Sequence, residues 1–188
     1  ISWSVADEIT RLQIPAPDEN TTCHLPSVVV LPDARVMCVY SGKEAMRAGK
    51  ISLFAVYSSD HGATWGTPQR LLDTPDGHDY DPSIIVIGRR VIVSATTTPL
   101  NETGITTSRT MAVASDDGGR TWSRPYEIPM GRRYTSGKIN NGITLPDGTA
   151  LWGYTWEKNL ETRERLASEG EMEEMNAVLI SYDDGRTW

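Results

Sequence analysis

Short apolar runs recur along the chain, and turn residues separate one run from the next. The apolar residues do not follow the three-to-four-residue spacing of an amphipathic helix. Runs rich in Val, Ile and Leu suit strands that are buried on both faces between neighbouring sheets. Gly, Pro and Asp follow many of these runs, as expected for tight turns. The strand-like segments are 26–31, 35–40, 52–57, 68–72, 82–87, 90–95, 110–114, 125–128, 141–145, 150–154 and 177–180. The pattern predicts an all-β chain of short antiparallel strands.

One eight-residue pattern, Ser-x-Asp-x-Gly-x-Thr-Trp, occurs three times, at 58–65, 115–122 and 181–188. We call these segments box 1, box 2 and box 3. In each box the Asp and Ser side chains can bind turn backbone, Gly accepts a positive φ, and Trp buries its ring. The predicted strands fall into the same order around every box. Each box is therefore predicted to join the third and fourth strands of a repeated unit, with Trp65 and Trp122 largely buried.

Four antiparallel strands per unit are typical of a β-propeller blade. The expected domain is a partial propeller over residues 1–188, with about three blades at approximately 24–72, 80–130 and 137–188. Residues 1–14 resemble an outer strand that closes the ring. Box 3 ends at Trp188 before a fourth strand, so we expect that missing C-terminal blades are needed to complete the ring.

Composition limits the classes of partner that the chain can have. The formal net charge of −7 argues against non-specific binding to nucleic acid, and no apolar run is long enough for a membrane span. None of the boxes continues into a calcium-binding loop that ends in Glu. We therefore expect no metal and no cofactor.

Strand order predicts where a site lies. If the boxes occupy one face of the propeller, the starts of the first strands and the loops after the second strands occupy the opposite face. Cations, carboxylates, amides and an aromatic side chain gathered there suit a polyhydroxylated sugar, so the expected partner is a carbohydrate substrate or glycan. The candidate substrate-binding residues are His24, Lys43, Arg47, Asp79, Lys138, Asn140, Asn141, Trp156 and Glu157.

Asp81 and Glu44 are the candidate catalytic residues on this face. A carboxyl group in a closing funnel can have its pKa raised toward the working pH, which suits acid or base chemistry. Asp81 directly precedes Pro82, so a role in opening a strand is an equal alternative. Residues 158–174 are rich in helix formers with opposite charges three or four apart, and predict a short exposed helix that is either a rim of the site or a solvated loop.

The boxes, the Pro-Ser and Asn-Gly strand openings and the Leu-Pro-Asp turns together resemble the sialidase (neuraminidase) superfamily and its BNR-repeat relatives. This resemblance implies a ring of about six blades, a secreted or periplasmic protein, and an exo-acting glycoside hydrolase. The chain departs from the family's pattern at two places. His24-Leu25-Pro26 stands where sialidases have Arg-Ile-Pro, and residues 41–50 lack the expected Asp.

These departures leave two functions open. One is a sialidase-like hydrolase of a terminal sugar, with an anionic sugar as one option; Glu44 would replace the acid, and Lys43 or Arg47 would grip the anion. The other is a non-catalytic propeller that binds glycan or protein. The fold does not decide between them, because function resides in the site.

Overall fold

The computed structural model describes residues 13–101, 105–136 and 141–188. These residues form three four-stranded sheets in which every strand pair is antiparallel. The arrangement confirms the predicted all-β class and the four-stranded blades. No helix in the described ranges is long and apolar enough to cross a membrane.

The first two sheets run in chain order, as expected for strands joined by tight turns. Residues Pro32 to Ala34 turn the first strand into the second, and Ala34 takes a positive φ of 67°. The bounds are β1 Thr21–Val30, β2 Val36–Glu44, β3 Lys50–Ser58 and β4 Gln69–Leu72 in sheet one, and β5 Gly77–Ile87, β6 Arg90–Pro99, β7 Arg109–Ser115 and β8 Tyr126–Ile128 in sheet two.

Sheet three begins with two short pieces that both pair with the same neighbour. Its strands are β9 Thr135–Ser136, β10 Ile143–Thr144, β11 Ala150–Glu157 and β12 Glu174–Ser181. Both β9 and β10 pair with β11, and β12 pairs with the other edge of β11. Gly142 lies close to sheet two, where its amide donates to the Ile84 carbonyl at 2.9 Å. A Cβ at this position would come within 2.6 Å of Ile85, so only glycine fits here.

Apolar layers join neighbouring sheets. Met37, Leu53 and Val93 are fully buried between sheets one and two. Ile85 and Ile92 from sheet two pack with residues of sheet three in a second layer. Burial on both faces explains why these strands read as continuous apolar runs.

Each box tryptophan packs against one of the apolar clusters. Trp122 packs against the layer between sheets one and two, and its indole N–H donates to the Tyr57 hydroxyl at 3.2 Å. The Trp188 ring lies 5.5 Å from the Trp152 ring in the layer between sheets two and three. Trp65 packs against the outer face of sheet one. The rings are partly buried, whereas the sequence predicted that Trp65 and Trp122 would be largely buried.

The boxes lie where the sequence placed them. Box 1 separates β3 from β4, box 2 separates β7 from β8, and box 3 follows β12. In box 1, Asp60 accepts the Thr64 amide at 2.8 Å and the Thr64 hydroxyl at 2.6 Å, while the Ser58 hydroxyl donates to Asp60 at 2.7 Å. The Asp carboxylate therefore fixes the turn from both sides.

Three expectations need correction or lie outside the described residues. Strand β2 continues to Glu44 and leads into a 3₁₀ turn over Ala45–Arg47, so the predicted loop after Tyr40 is much shorter. The predicted helix within 158–174 is wrong, because only two 3₁₀ turns form, at Asn159–Glu161 and Glu169–Glu171. The predicted outer strand over 1–14 falls almost entirely on residues that are not described.

Candidate functional site

A break in strand register marks the start of sheet two. Pairing between β5 and β6 shifts between Tyr80 and Ser83, and Asp81 lies within the shift at a φ of 49°. Among residues other than glycine, a positive φ is costly for most and least so for Asn and Asp, and β-bulges often re-aim a side chain. Asp81 thereby lies in the half of the sheet that is farther from box 2, because box 2 follows the end of β7 that pairs with Val91.

A cavity of about 510 Å³ opens at this end of the molecule. Tyr80 and Asp81 from β5 and Thr96 and Thr98 from β6 form one side of it. The opposite side consists of residues 105–107, Tyr134, and Glu169 and Met172 from the segment between β11 and β12. Hydroxyl, carboxyl and imidazole groups thus line the cavity together with a few apolar side chains, which suits the binding of a small polar molecule.

His78 supplies a neutral imidazole to the cavity wall. Its Nδ1 accepts the Ile51 amide at 3.1 Å, which leaves the ring proton on Nε2. Burial lowers the pKa of His78, and the positive charges of Lys50 and Lys43 lower it further. The ring is therefore a hydrogen-bond partner for a hydroxyl group and not a fixed cation.

Asp79, one residue before Tyr80, lies on the other side of β5 and is fully buried. Its carboxylate accepts the Thr97 hydroxyl at 2.6 Å and the Thr74 amide at 2.8 Å. Burial raises the pKa of Asp79 despite these bonds. The predicted role in binding substrate does not fit this position, because Asp79 holds β5 to β6 and to the chain before it.

The surroundings of Glu44 do not suit the acid role that the sequence suggested. Arg70 donates to both of its carboxylate oxygens at 2.5 Å, and Arg47 donates to one of them at 3.1 Å. The hydrogen bond from Arg70 lowers the pKa of Glu44, although burial opposes the change. A general acid needs the opposite shift, so the expected rise was wrong. Glu44 and Arg47 belong to a cross-strand ion network that also includes Asp73.

Asn141 joins three sheets. Its side-chain oxygen accepts the Ser27 hydroxyl at 2.6 Å and the Ile84 amide at 3.0 Å, and its NH₂ group donates to the Val28 carbonyl at 3.0 Å. These bonds reach from sheet three to β1 and β5. The amide that was predicted to hold sugar hydroxyls is already occupied by protein groups.

Glu157 and Trp156, at the end of β11, also take structural positions. Glu157 is 1% exposed, and one carboxylate oxygen accepts the amides of Asn159 at 2.7 Å and Glu173 at 2.9 Å. Trp156 is half-buried beneath Arg132, whose guanidinium lies 4.0 Å from its ring centroid. Neither side chain lines the cavity.

The remaining candidates are placed only in part. His24 is half-buried on β1 opposite Ser41, and Lys43 is exposed on β2. Lys138 and Asn140 lie outside the described residues. Among the candidates that the structure describes, Asp81 is the one that reaches the cavity.

Sequence reasoning missed several cavity residues. Tyr80 belongs to the dense polar stretch 78–81. Because side chains alternate between the two faces of a strand, the sequence could have placed Tyr80 on the same side of β5 as His78. Glu169 and Met172 carried no local signal, because they lie in a segment that was predicted to be helical. Tyr134 lies directly before the two-residue strand β9, which the sequence did not predict.

Comparison with solved structures identifies the architecture. The chain superposes on a Hadza microbial sialidase with a TM-score of 0.68 and 20% identity, covering 88% of this chain and 36% of that one. A mutant Trypanosoma rangeli sialidase that displays trans-sialidase activity gives 0.68 and 17%, covering 89% and 30%. The intramolecular trans-sialidase from Ruminococcus gnavus gives 0.59 and 13%, covering 89% and 69%.

These comparisons show that the chain has a sialidase-like fold, as the boxes had indicated. No protein-family model and no curated protein matches the sequence. The chain spans about a third of the first sialidase and about a third of the second, by the coverage given above. At such low identity the likeness establishes the fold, and the chemistry rests on the site.

Proposed function

We propose that this chain carries part of the sugar-binding face of a sialidase-like glycoside hydrolase that acts on a terminal sugar. The observation that carries the proposal is the cavity opposite the boxes, where Asp81 stands with Tyr80, Tyr134 and Glu169. Two carboxyl groups and several hydroxyl groups around one cavity provide both hydrogen-bond acceptors for a sugar and a candidate for proton transfer.

Asp81 is the proposed acid or base. Its backbone takes a conformation that the register shift of β5 imposes, and such unusual backbone positions cluster at functional sites. Tyr80 and neutral His78 beside it would contact sugar hydroxyls. Since Glu44 is held by Arg70, the second carboxyl group at the site is Glu169 and not Glu44.

The alternative, a propeller that binds a glycan without cleaving it, draws support from one observation. The two predicted catalytic carboxyl groups do not share the cavity, because Glu44 lies in the ion network of sheet one. If Glu169 does not act together with Asp81, the site would bind sugar and leave it intact.

Substitution of Asp81 in the complete protein distinguishes these functions. Asn tolerates a positive φ, so Asp81→Asn removes the charge and keeps the backbone. We expect turnover of fluorogenic glycosides to fall by at least about 100-fold, with the melting temperature nearly unchanged. Asp117→Asn in box 2 is the matched control, and should lower the melting temperature while sparing turnover.

Each other result has a clear meaning. If Asp81→Asn leaves turnover unchanged on every glycoside that the unaltered protein cleaves, Asp81 is a turn residue. If the unaltered protein cleaves none of them yet binds sugars, and Asp81→Asn weakens that binding, the non-catalytic alternative is correct.

A further inference from the structure

The segment between β11 and β12, residues 158–173, forms a packed wall of the cavity. Leu160 and Leu166 within it are fully buried, unlike the side chains of a solvated loop. Glu169 and Met172 from this wall line the cavity. A wall that buries apolar side chains has a defined position, so something must fix that position against the sheets.

Arg133 makes the main polar attachment to this wall. Its Nη1 donates to the carbonyl groups of Leu160 at 2.9 Å and Arg163 at 2.5 Å, and its Nη2 donates to the carbonyl group of Glu164 at 2.7 Å. A planar guanidinium can serve several carbonyl groups from fixed directions, which a lysine ammonium on a flexible stem does poorly.

The backbone of Arg133 holds the adjoining side of the cavity. Its carbonyl accepts the Ser108 amide at 3.0 Å, directly after the cavity residues 105–107. Ile105 in turn exchanges two backbone hydrogen bonds with Leu166, at 3.2 and 2.9 Å. Residues 105–107 and the wall are therefore fixed to each other and to Arg133.

A separate set of contacts joins the two ends of this segment to each other. Glu157 accepts the amides of Asn159 and Glu173, the Lys158 amide donates to the Glu173 carbonyl at 3.1 Å, and the Lys158 ammonium pairs with the Glu173 carboxylate at 2.5 Å. These contacts fix where the segment begins and ends. The middle, from 160 to 166, is held by Arg133, by the Ile105 pairing and by a longer ion pair between Arg132 and Glu161 at 3.6 Å.

We propose that Arg133 is a positioning residue that sets the distance between this wall and the β5–β6 side of the cavity, and thereby determines which sugars fit. The inference rests on the proposed sugar-binding function for its consequence, but not for its mechanism. Arg133 itself is not among the residues that line this cavity. Its substitution should change sugar affinity through the wall, not through a lost contact with the sugar.

Hydrogen exchange of the chain tests the mechanism without any sugar. In Arg133→Met, the amides of Ile105 and Leu166 should exchange at least about tenfold faster, since several hydrogen bonds to a charged group are lost. Amides in β2 and β6 should keep their rates, which would show that the fold is intact. Arg133→Lys should fall in between, and Arg165→Met, an exposed arginine of the same segment, is the control that should change nothing.

Calorimetry with two probes, methyl β-D-galactopyranoside and the methyl α-glycoside of N-acetylneuraminic acid, tests the consequence. Whichever probe the unaltered chain binds should bind about tenfold more weakly to Arg133→Met, and with equal affinity to Arg165→Met. Unchanged exchange at Ile105 and Leu166 would overturn the proposal, as would faster exchange with unchanged affinity. If neither probe binds the unaltered chain, the proposed function fails, and the exchange rates alone decide whether Arg133 positions the wall.

Discussion

The two ends of the sheets are built on different principles. At the end with the boxes, the same contact recurs in all three sheets. The distance from the Asp carboxylate to the Thr amide is 2.8, 2.9 and 2.9 Å in boxes 1, 2 and 3. The Gly amide donates to the Ser hydroxyl at 2.8, 2.8 and 2.9 Å in the same order. Repetition of a contact in every sheet indicates that the contact serves the fold.

At the opposite end, equivalent positions carry different chemistry. Leu25 in β1 and Asp81 in β5 both have a positive φ, both precede a proline, and both lie in a register shift before a serine. Leu25 is an exposed apolar residue, whereas Asp81 lines the cavity. The positive-φ register shift is thus repeated in both sheets, but the side chain at that position differs. This difference is expected where a common scaffold carries a site in only part of the molecule.

The largest expected effect of breaking the box end comes from Trp122→Ala. The ring fills part of the apolar layer between sheets one and two, and its indole N–H bonds to Tyr57. Loss of a large core side chain costs about 3–5 kcal/mol, and partial exposure places this variant near the lower end. Urea denaturation should show the loss. If the free energy of unfolding falls by less than about 1 kcal/mol, the ring contributes no more than a surface side chain does.

A smaller effect is expected from Asn141→Ala, which tests whether a residue once assigned to the sugar site belongs to the scaffold. The side chain makes three hydrogen bonds that reach two other sheets. Its removal should lower the free energy of unfolding by about 1–3 kcal/mol. Asn176→Ala, an exposed amide on β12, should change stability by less than about 0.5 kcal/mol. If Asn141→Ala is as stable as the unaltered chain but binds sugar more weakly, Asn141 belongs to the site.

The fold could be predicted because its signals are local and repeated. Each box carries its whole hydrogen-bonding scheme within eight residues, so the sequence alone reveals the turn and its neighbours. Strand order then placed Asp81 opposite the boxes without any knowledge of side-chain contacts. The same reasoning predicted the order of the strands within sheets one and two, since consecutive strands joined by short turns pair with each other.

The site could be predicted only in part, because its contacts join residues far apart in the chain. Glu44 meets Arg70 across β3, and that pairing reverses the expected pKa shift of Glu44. Segment 158–173 has the composition of a helix, but burial of Leu160 and Leu166 and the bonds from Arg133 hold it in two 3₁₀ turns joined by irregular backbone. Local propensity loses to tertiary packing in such segments.

The smallest expected effect concerns the pH dependence that the boxes give to stability. The hydrogen bonds from the Thr64 hydroxyl and amide lower the pKa of Asp60 from its ordinary 3.8 to about 2. A carboxyl group whose pKa is depressed in the folded state stabilises the protein above its unfolded pKa, and this contribution disappears as the pH falls through the folded value. Asp60→Asn should therefore melt below the unaltered chain at neutral pH.

The difference in melting temperature between the unaltered chain and Asp60→Asn should shrink as the pH falls from about 4 to about 2. Because Asp60 is exposed to solvent, the change should be small, and it is best measured by scanning calorimetry at several pH values. A difference that stays constant with pH would mean that Asp60 stabilises the turn through its shape and hydrogen bonds and not through its charge.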